Sequence, residues 1–403
     1  MAKIEEYIPI VGQSIIDDLK LLAEKLKGRV IQHINSTSVG GGVAEILNRM
    51  VPLLRELGVD TRWDLIKGGE QFFEVTKKFH NALHGRAEAI SQRDFDIFME
   101  TSRININEVA ISGDIVFVHD PQPVALIKNK SDNKWVWRCH IDLSNPNQKV
   151  WRFIADFITD YDSAVFSAPA FSQMLPIRQI LIPPSIDPLS DKNRDLSDEE
   201  IDSVLKKYNI ATDKPIITQI SRFDRLKDPL GVIEAYLKVK KYIDCQLILA
   251  GGTATDDPEG IAVLEEAKDK AKSGRDIHIL LLSQNDIEIN ALQRASTVII
   301  QKSIREGFGL TVAEALWKAK PVVASNVGGI PLQIKHKYSG LLCHSIDGAA
   351  FAIKQLLNSP EYAKKLGENG REHIRSNFLL TRHLRDYMLL FLSLYHKEDL
   401  VYL

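Results

Sequence analysis

Short apolar, β-branched runs alternate with amphipathic stretches of helical spacing almost from one end of the chain to the other. "RVIQHIN" (29–35) reads as a strand, "STSVGGG" as a loop and "VAEILNRMVPLLRELG" as a helix. "DTRWDLI", "DIVFVHD" (114–120), "WVWRCHID" (135–142), "SAVFSAP" and "QILIPPSID" continue the strand series. Around 183–199 the composition turns to Pro, Asp and Ser, which marks a connection and the best candidate boundary. A second series then begins: "PIITQIS" (215–221), a helix from about 228, "CQLILAGG" (245–252), a helix from about 259, "IHILLLS" (277–283), a helix over 286–295 and "TVIIQKS" (297–303). "PVVASNVGG" (321–329) and "SGLLCHS" (339–345) add two more strands, and 359–403 reads as helices ending in "HLRDYMLLFLSLYH". Such alternation demands parallel sheets covered by helices on both faces. The expected class is therefore α/β, with two doubly wound domains facing a cleft and ligands held outside the carboxyl ends of the strands.

A chain of 403 residues fits two domains of roughly 200 each. The expected division is 1–189, 190–375, and a terminal helical segment 376–403 that packs back on the first domain. Fifty-one basic residues against 53 acidic ones leave a net charge of −2, which argues against a dedicated nucleic-acid or membrane-surface binder. No stretch approaches the roughly 18 apolar residues of a membrane span. "MAKIEEYIPIVGQSIIDDLK" carries acids early and lacks the apolar core of a signal peptide, so a cytoplasmic protein is expected. Cys139, Cys245 and Cys343 form no CxxC pair and read as reduced, buried thiols.

Residues just after strands are the ones to examine. "SRFDRLKDP" (221–229) places Arg222 and Lys227 in one post-strand loop, a planar fork and a mobile point charge that suit a diphosphate. "SIREGFGLTVAEAL" (303–316) follows another strand. Thr311 with Glu314 three residues later reads as a capping box, which leaves Glu306 with no structural task. If a helix starts near Thr311, the amides of Gly307, Phe308, Gly309 and Leu310 point at the same ligand, with Glu306 and Glu314 accepting from sugar hydroxyls. In the first half, Gly40, Gly41 and Gly42 bring bare backbone to a helix N-terminus, where Gly41 and Gly42 offer amides. Neither G-x-G-x-x-G nor G-x-x-x-x-G-K-[ST] occurs. "VHDPQP" and "RCHIDLSNP" each end a strand with His and Asp, namely His119–Asp120 and His140 with Asp142; a polar floor is expected there, and no metal. The tandem acids of "ATDDPEG" (254–260) read as a solvated turn.

Arg222 and Lys227 after one strand, Glu306-x7-Glu314 after a later one, and a glycine-rich first turn together resemble the retaining nucleotide-sugar glycosyltransferases of the two-Rossmann GT-B fold. The block "REGFGLTVAEAL" (305–316) carries most of that likeness. "INSTSVGGGVAEIL", "VHDPQP", "WRCHIDLS" and "PPSIDPLS" are similar to the trehalose glycosyltransferring synthases, which join the glucose of a nucleoside-diphosphate glucose to free glucose, reversibly. Trehalose phosphorylases share much of the pattern and use phosphate where the synthase uses a nucleotide. Carried onto this chain, the resemblance implies that Arg222 and Lys227 stabilise the departing diphosphate, and that Glu306 holds the donor glucose with help from Gly307, Phe308, Gly309 and Leu310. It implies that Glu314 binds the ribose, that the Gly40–Gly42 turn, with Gly41 and Gly42, approaches the phosphates and acceptor, and that His140 lies at the donor sugar near the reacting bond. His119, Asp120 and Gln122 are the candidates for the acceptor pocket. The implied substrates are UDP-, ADP- or GDP-glucose, glucose and trehalose, with no tightly bound cofactor and only free Mg2+, inessential at a protein site. Nucleic acid and membrane are not expected partners; a homodimer stays open.

Overall fold

The computed structural model describes residues 3–39, 41–252, 258–282 and 285–395. The chain forms two compact units, one made of residues up to Ser185 together with those from Leu380 onward, the other of Ile186–Leu379.

The first unit is built on six parallel strands: β1 (Val30–Asn35), β2 (Asp60–Leu65), β3 (Ile115–His119), β4 (Lys134–Arg138), β5 (Ser163–Phe166) and β6 (Arg178–Leu181). They lie in the order β2-β1-β3-β4-β5-β6. β3 is buried along its whole length and β4 along all but its first residue. A strand covered on both faces has no solvent side to alternate toward, which is why "IVFV" and "WVW" read as unbroken apolar runs. The chain departs in opposite directions from β1, toward β2 and toward β3, so the topological switch point lies between β1 and β3. The helix Leu380–Ser393 closes this unit against the helix Gln13–Lys25. Tyr395 Oη donates to the Asp114 carbonyl at 3.1 Å, and Arg178 Nη1 to Ser393 Oγ at 3.2 Å.

The second unit also holds six parallel strands: β7 (Ile216–Ile220), β8 (Gln246–Gly251), β9 (Ile277–Leu281), β10 (Val298–Gln301), β11 (Val322–Ser325) and β12 (Leu341–Cys343). Their order, β12-β11-β10-β7-β8-β9, places its switch point between β7 and β10. Counted within the unit this is the 3-2-1-4-5-6 arrangement of dinucleotide-binding folds, reached here without their glycine fingerprint. Alternate residues feed opposite faces. Ile217, Leu247, Leu249 and Val298 pack in one core with Val232 and Tyr236, whereas Ile216, Ile220, Ile248 and Ala250 pack in another with Leu205 and Leu292.

The Pro/Asp/Ser stretch is more than a connection. Asn193 is almost fully buried; its side-chain amide donates to the Asp187 carbonyl at 2.9 Å and to Ser190 Oγ at 3.2 Å. Its carbonyl accepts from Trp317 Nε1 and from Arg294 Nη2, each at 3.3 Å. Short polar side chains that bond nearby backbone make a segment look like a loop in composition while fixing its path. Cys139, Cys245 and Cys343 are buried free thiols. Among the described residues no helix is long and apolar enough to cross a membrane.

Candidate active site

At the switch point of the second unit, the loops after β7 and β10 are held together. Leaving β7, the chain makes a short turn, Arg225–Lys227, capped by the Asp224 side chain, which accepts from the Leu226 amide at 2.7 Å. Gln219, still on β7, donates its side-chain amide to the Lys227 carbonyl at 2.8 Å, and the Ile304 amide donates to the Leu226 carbonyl at 2.7 Å. This brings Lys227 Nζ to 2.6 Å from both carboxylate oxygens of Glu306. Ser303 Oγ donates to Glu306 Oε2 at 3.0 Å. Glu306 is only 7% exposed. The sequence left this glutamate without a structural task; the structure gives it a cationic partner 79 positions away. Arg222 stands apart, its side chain 60% exposed and its Nη2 3.4 Å from Asp224 Oδ2.

The capping box is not formed. The helix runs Leu310–Trp317, and its N-cap is Gly309, at φ 83 with no side-chain cap. Thr311 already lies inside the helix, where its hydroxyl meets Gln301 Oε1 at 3.4 Å. The left-handed conformation, open to glycine at little cost, starts the helix two residues before the first residue with a capping side chain. Glu314 is therefore a buried mid-helix carboxylate, 2% exposed, with Lys192 Nζ 3.9 Å from its Oε1. Behind it, Lys318 Nζ donates to Asn193 Oδ1 at 3.0 Å and to the Glu314 carbonyl at 3.2 Å. Burial pushes the Lys318 ammonium down to about 7, against the pull of Glu314.

A second glycine pair, read in the sequence only as the end of a strand, supports this loop. Gly328 has φ 57, and a Cβ there would lie 1.6 Å from the Glu306 carbonyl oxygen. The Gly329 amide donates to the Gly307 carbonyl at 3.1 Å, and Gln333 Nε2 donates to the Phe308 carbonyl at 2.5 Å. Phe308 is buried against Phe378, with ring centroids 5.6 Å apart. The 306–309 backbone is thus clamped by the segment after β11. Glycine after a strand was the available signal, the same one that drew attention to Gly41 and Gly42.

In the first unit Gly41 and Gly42 begin the helix Gly41–Glu56, whereas Gly40 and the acids at 254–257 lie outside the described residues. The strand-end histidines form a row. His33 pairs in register with Phe117, and His119 stands two residues farther along β3 on the same face. His33 Nδ1 lies 3.0 Å from His119 Nε2, and His119 Nδ1 lies 3.3 Å from His140 Nε2. His119 therefore gives both ring nitrogens to other imidazoles and is 2% exposed, while His140 is half-buried. Burial pushes His33 down to about 3; it takes His119 and His140 well below the ordinary value, with Arg138 adding to both.

Asp120 sits at φ 64, and its Oδ1 accepts the His140 amide at 2.8 Å. Its carboxyl is pushed up to about 6 by burial, opposed by that hydrogen bond and by Arg138. Asp142 Oδ1 accepts the Ser144 amide at 2.9 Å. Gln122 lines a small pocket with Ser102 and Asn105. His33 and Arg138 were missed by sequence reasoning; the polar residues Gln32, His33 and Asn35 inside a strand that is buried from Ile31 onward were the available sign at His33. Among the described residues no group of three or more His, Cys, Asp or Glu side chains could hold a metal ion.

Residues 33–173 match the family model "Trehalose synthase, N-terminal domain", and residues 200–373 match "Glycosyl transferases group 1". The chain is 45% identical to the trehalose synthase of Pyrococcus horikoshii over 394 residues, covering 96% of this chain and 95% of that one. It is likewise 45% identical to the trehalose synthase of Rubrobacter xylanophilus over 404 residues, covering 96% of each. In fold it resembles the α,α-trehalose-phosphate synthase (UDP-forming) of Burkholderia vietnamiensis, with a TM-score of 0.74 over 91% of this chain and 96% of that one at 14% identity.

Proposed function

This chain belongs to the trehalose synthase family of GT-B glycosyltransferases, and on that premise we propose that it moves glucose from a nucleoside-diphosphate glucose to free glucose, reversibly and with retention, forming α,α-trehalose. The observation that carries the reading is the Lys227–Glu306 pair at the β7/β10 switch point, 2.6 Å apart and sheltered by the Gly328–Gly329 segment. A switch point is where open α/β sheets hold their ligands.

Breaking a glucosyl–phosphate bond builds positive charge on the sugar and negative charge on the leaving phosphate. In this reading Lys227 and the exposed Arg222 meet that phosphate, and fixed cations there stabilise charge as it develops. Glu306 accepts from the donor glucose hydroxyls, held in place by Lys227 and Ser303. The amides of Gly307 to Leu310 at the glycine-capped helix start contribute donors to the same ligand. Glu314 serves the ribose, and Lys192 and Lys318 stand against it. In the first unit His140 addresses the donor sugar, Asp120 fixes the His140 backbone, and Gly41 and Gly42 offer amides to phosphate. The leaving phosphate itself helps deprotonate the acceptor on the same face. With basic side chains at the diphosphate, the scheme requires no protein-bound metal, and its substrates are small molecules.

The test incubates the protein with UDP-, ADP- and GDP-glucose, with and without free glucose, and identifies the products. A non-reducing disaccharide made only when glucose is present supports the reading. Glucose 1-phosphate released from trehalose by phosphate, with every nucleotide inert, replaces it with phosphorolysis.

A further inference from the structure

Sugar recognition by His140 leaves two buried histidines unexplained, and their geometry gives them a task. His33, His119 and His140 are joined ring nitrogen to ring nitrogen at 3.0 and 3.3 Å, from the middle of β1 across the end of β3 to the residue two past β4. A neutral imidazole has one N–H and one lone pair. His119, neutral in its buried setting, must therefore donate through one nitrogen and accept through the other. Both hydrogen bonds then run in the same sense, and the proton position on one ring dictates it on all three.

Two senses are available. If protons point inward, His140 donates to His119 and His119 to His33, which leaves an N–H at His33 Nε2. If they point outward, His33 Nδ1–H donates to His119 Nε2 and His119 Nδ1–H donates to His140 Nε2, which leaves a lone pair at His33 Nε2. Among the described residues that nitrogen is buried with no hydrogen-bond partner. Its ring is surrounded by those of Phe117, Tyr387 and Phe391, with centroids 5.3, 6.5 and 6.4 Å away. Among backbone groups a buried N–H without a partner is rarer than an unsatisfied acceptor, and by analogy with them the outward sense is taken. Asp120 Oδ1 accepts the His140 backbone amide and Asp142 Oδ1 that of Ser144, and among the described residues no carboxylate is hydrogen-bonded to a ring nitrogen of the three histidines. The tautomer of a histidine is set by the hydrogen bond its other nitrogen makes, and for His140 that partner is His119.

We propose that His33 and His119 are positioning residues that lock His140 in the tautomer carrying its proton on Nδ1, so that His140 meets the sugar as a hydrogen-bond donor. The proposal rests on the assignment of His140 to the donor glucose. His33 supplies the sense of the chain, His119 transmits it, and neither touches substrate.

Long-range 15N–1H correlation spectra of the intact, histidine-labelled protein test the chain independently of catalysis. The expected result is three histidines protonated on Nδ1, assigned by their loss or shift in single variants. His33→Phe fits the aromatic surroundings but removes the donor, whereas His33→Asn keeps a donor where Nδ1 stands. The Phe variant is expected to return His140 to a mixture of tautomers and to lower kcat/KM for the nucleotide sugar about tenfold; the Asn variant is expected to stay within about threefold of the parent. Nε2-protonated His140 in the parent, or equal kcat/KM in all three proteins, overturns the proposal and leaves the proposed function standing. Nδ1-protonated His140 in a protein that transfers no glucose overturns the proposed function and the positioning role with it.

Discussion

Lowering the pH should loosen the first unit well before it reaches the carboxylate range. Four histidines there, His33, His119, His140 and His383, are held below their ordinary value, chiefly by burial. An unfolded chain protonates them near 6.5, so below that pH the unfolded state binds more protons and stability falls as pH falls, for His33 down to about 3. At pH 5.5 the neutral His33 forgoes on the order of 1 kcal/mol, and His119, His140 and His383 add losses of the same sign, whereas little is forgone at pH 7. Asp120 works the other way. Its raised carboxyl takes up a proton in the folded state between about 6 and its ordinary value of 3.8, returning about 1 kcal/mol at pH 5.5. The four histidines outweigh Asp120, so the balance between pH 7 and 5.5 is a loss on the order of a few kcal/mol, a large part of the roughly 5–15 kcal/mol that holds a typical domain. Tryptophan emission reports the right unit, because Trp63, Trp135, Trp137 and Trp151 belong to it and Trp317 alone does not. Urea titrations at pH 7.0, 6.0 and 5.5 should show the free energy falling by several kcal/mol with an unchanged slope. A change below about 1 kcal/mol would mean that the histidines are charged or reached by water, and the packing described for them would be refuted.

Gly328→Ala puts a methyl group 1.6 Å from the Glu306 carbonyl at a positive φ. Strain and overpacking together should cost about 2–4 kcal/mol, seen as a melting point lower by roughly 5–15 °C and a transfer rate down at least about a hundredfold as Glu306 moves; a variant melting within 2 °C of the parent, by the roughly 2–4 °C that 1 kcal/mol is worth, would show that the loop is not clamped. Lys227→Ala should lower kcat by about two to three orders of magnitude with a smaller change in KM, and a pure KM effect would remove Lys227 from the leaving group. Because Lys227 holds Glu306, the Lys227→Ala/Glu306→Gln double variant should lose less than the two single losses combined, and strict additivity would deny the coupling. Lys318, lowered by burial to about 7, binds fewer protons folded than unfolded between there and 10.5, so the parent should gain stability over Lys318→Met as pH rises from 7.5 to 9.5. Parallel melting curves across that range would place Lys318 in water.

The elements were legible because period 2 and period 3.6 are local properties. β7 and β10 were read from "PIITQIS" and "TVIIQKS" with their ends displaced by a residue or two. Strand order was not legible: nothing in "RVIQHIN" says that it lies between β2 and β3. Glu306 was picked out as a candidate, but its pairing with Lys227 joins positions 79 apart and appears only once β7 and β10 are neighbours. The capping box misled because Thr311 has the right chemistry, and a glycine with no side chain to show had already begun the helix. His33 was hidden for a related reason. His33 is one of three buried polar residues in β1, and its role shows only beside His119, which lies 86 positions later.

The first unit is made of two pieces of chain separated by the whole of the second. On the ribosome, the strands β1 to β6 emerge first, and the second unit can be completed while the helix Leu380–Ser393 is still unmade. Tyr387 and Phe391, which pack against His33, are supplied only after the whole of the second unit. A nascent first unit therefore waits with an uncovered apolar face through nearly two hundred residues of synthesis, which takes roughly 10–40 s at the usual rates. The same layout governs recombination. Exchanging this unit with a relative by a single crossover always separates the sheet from its closing helix, so a working chimera must carry both segments from one parent.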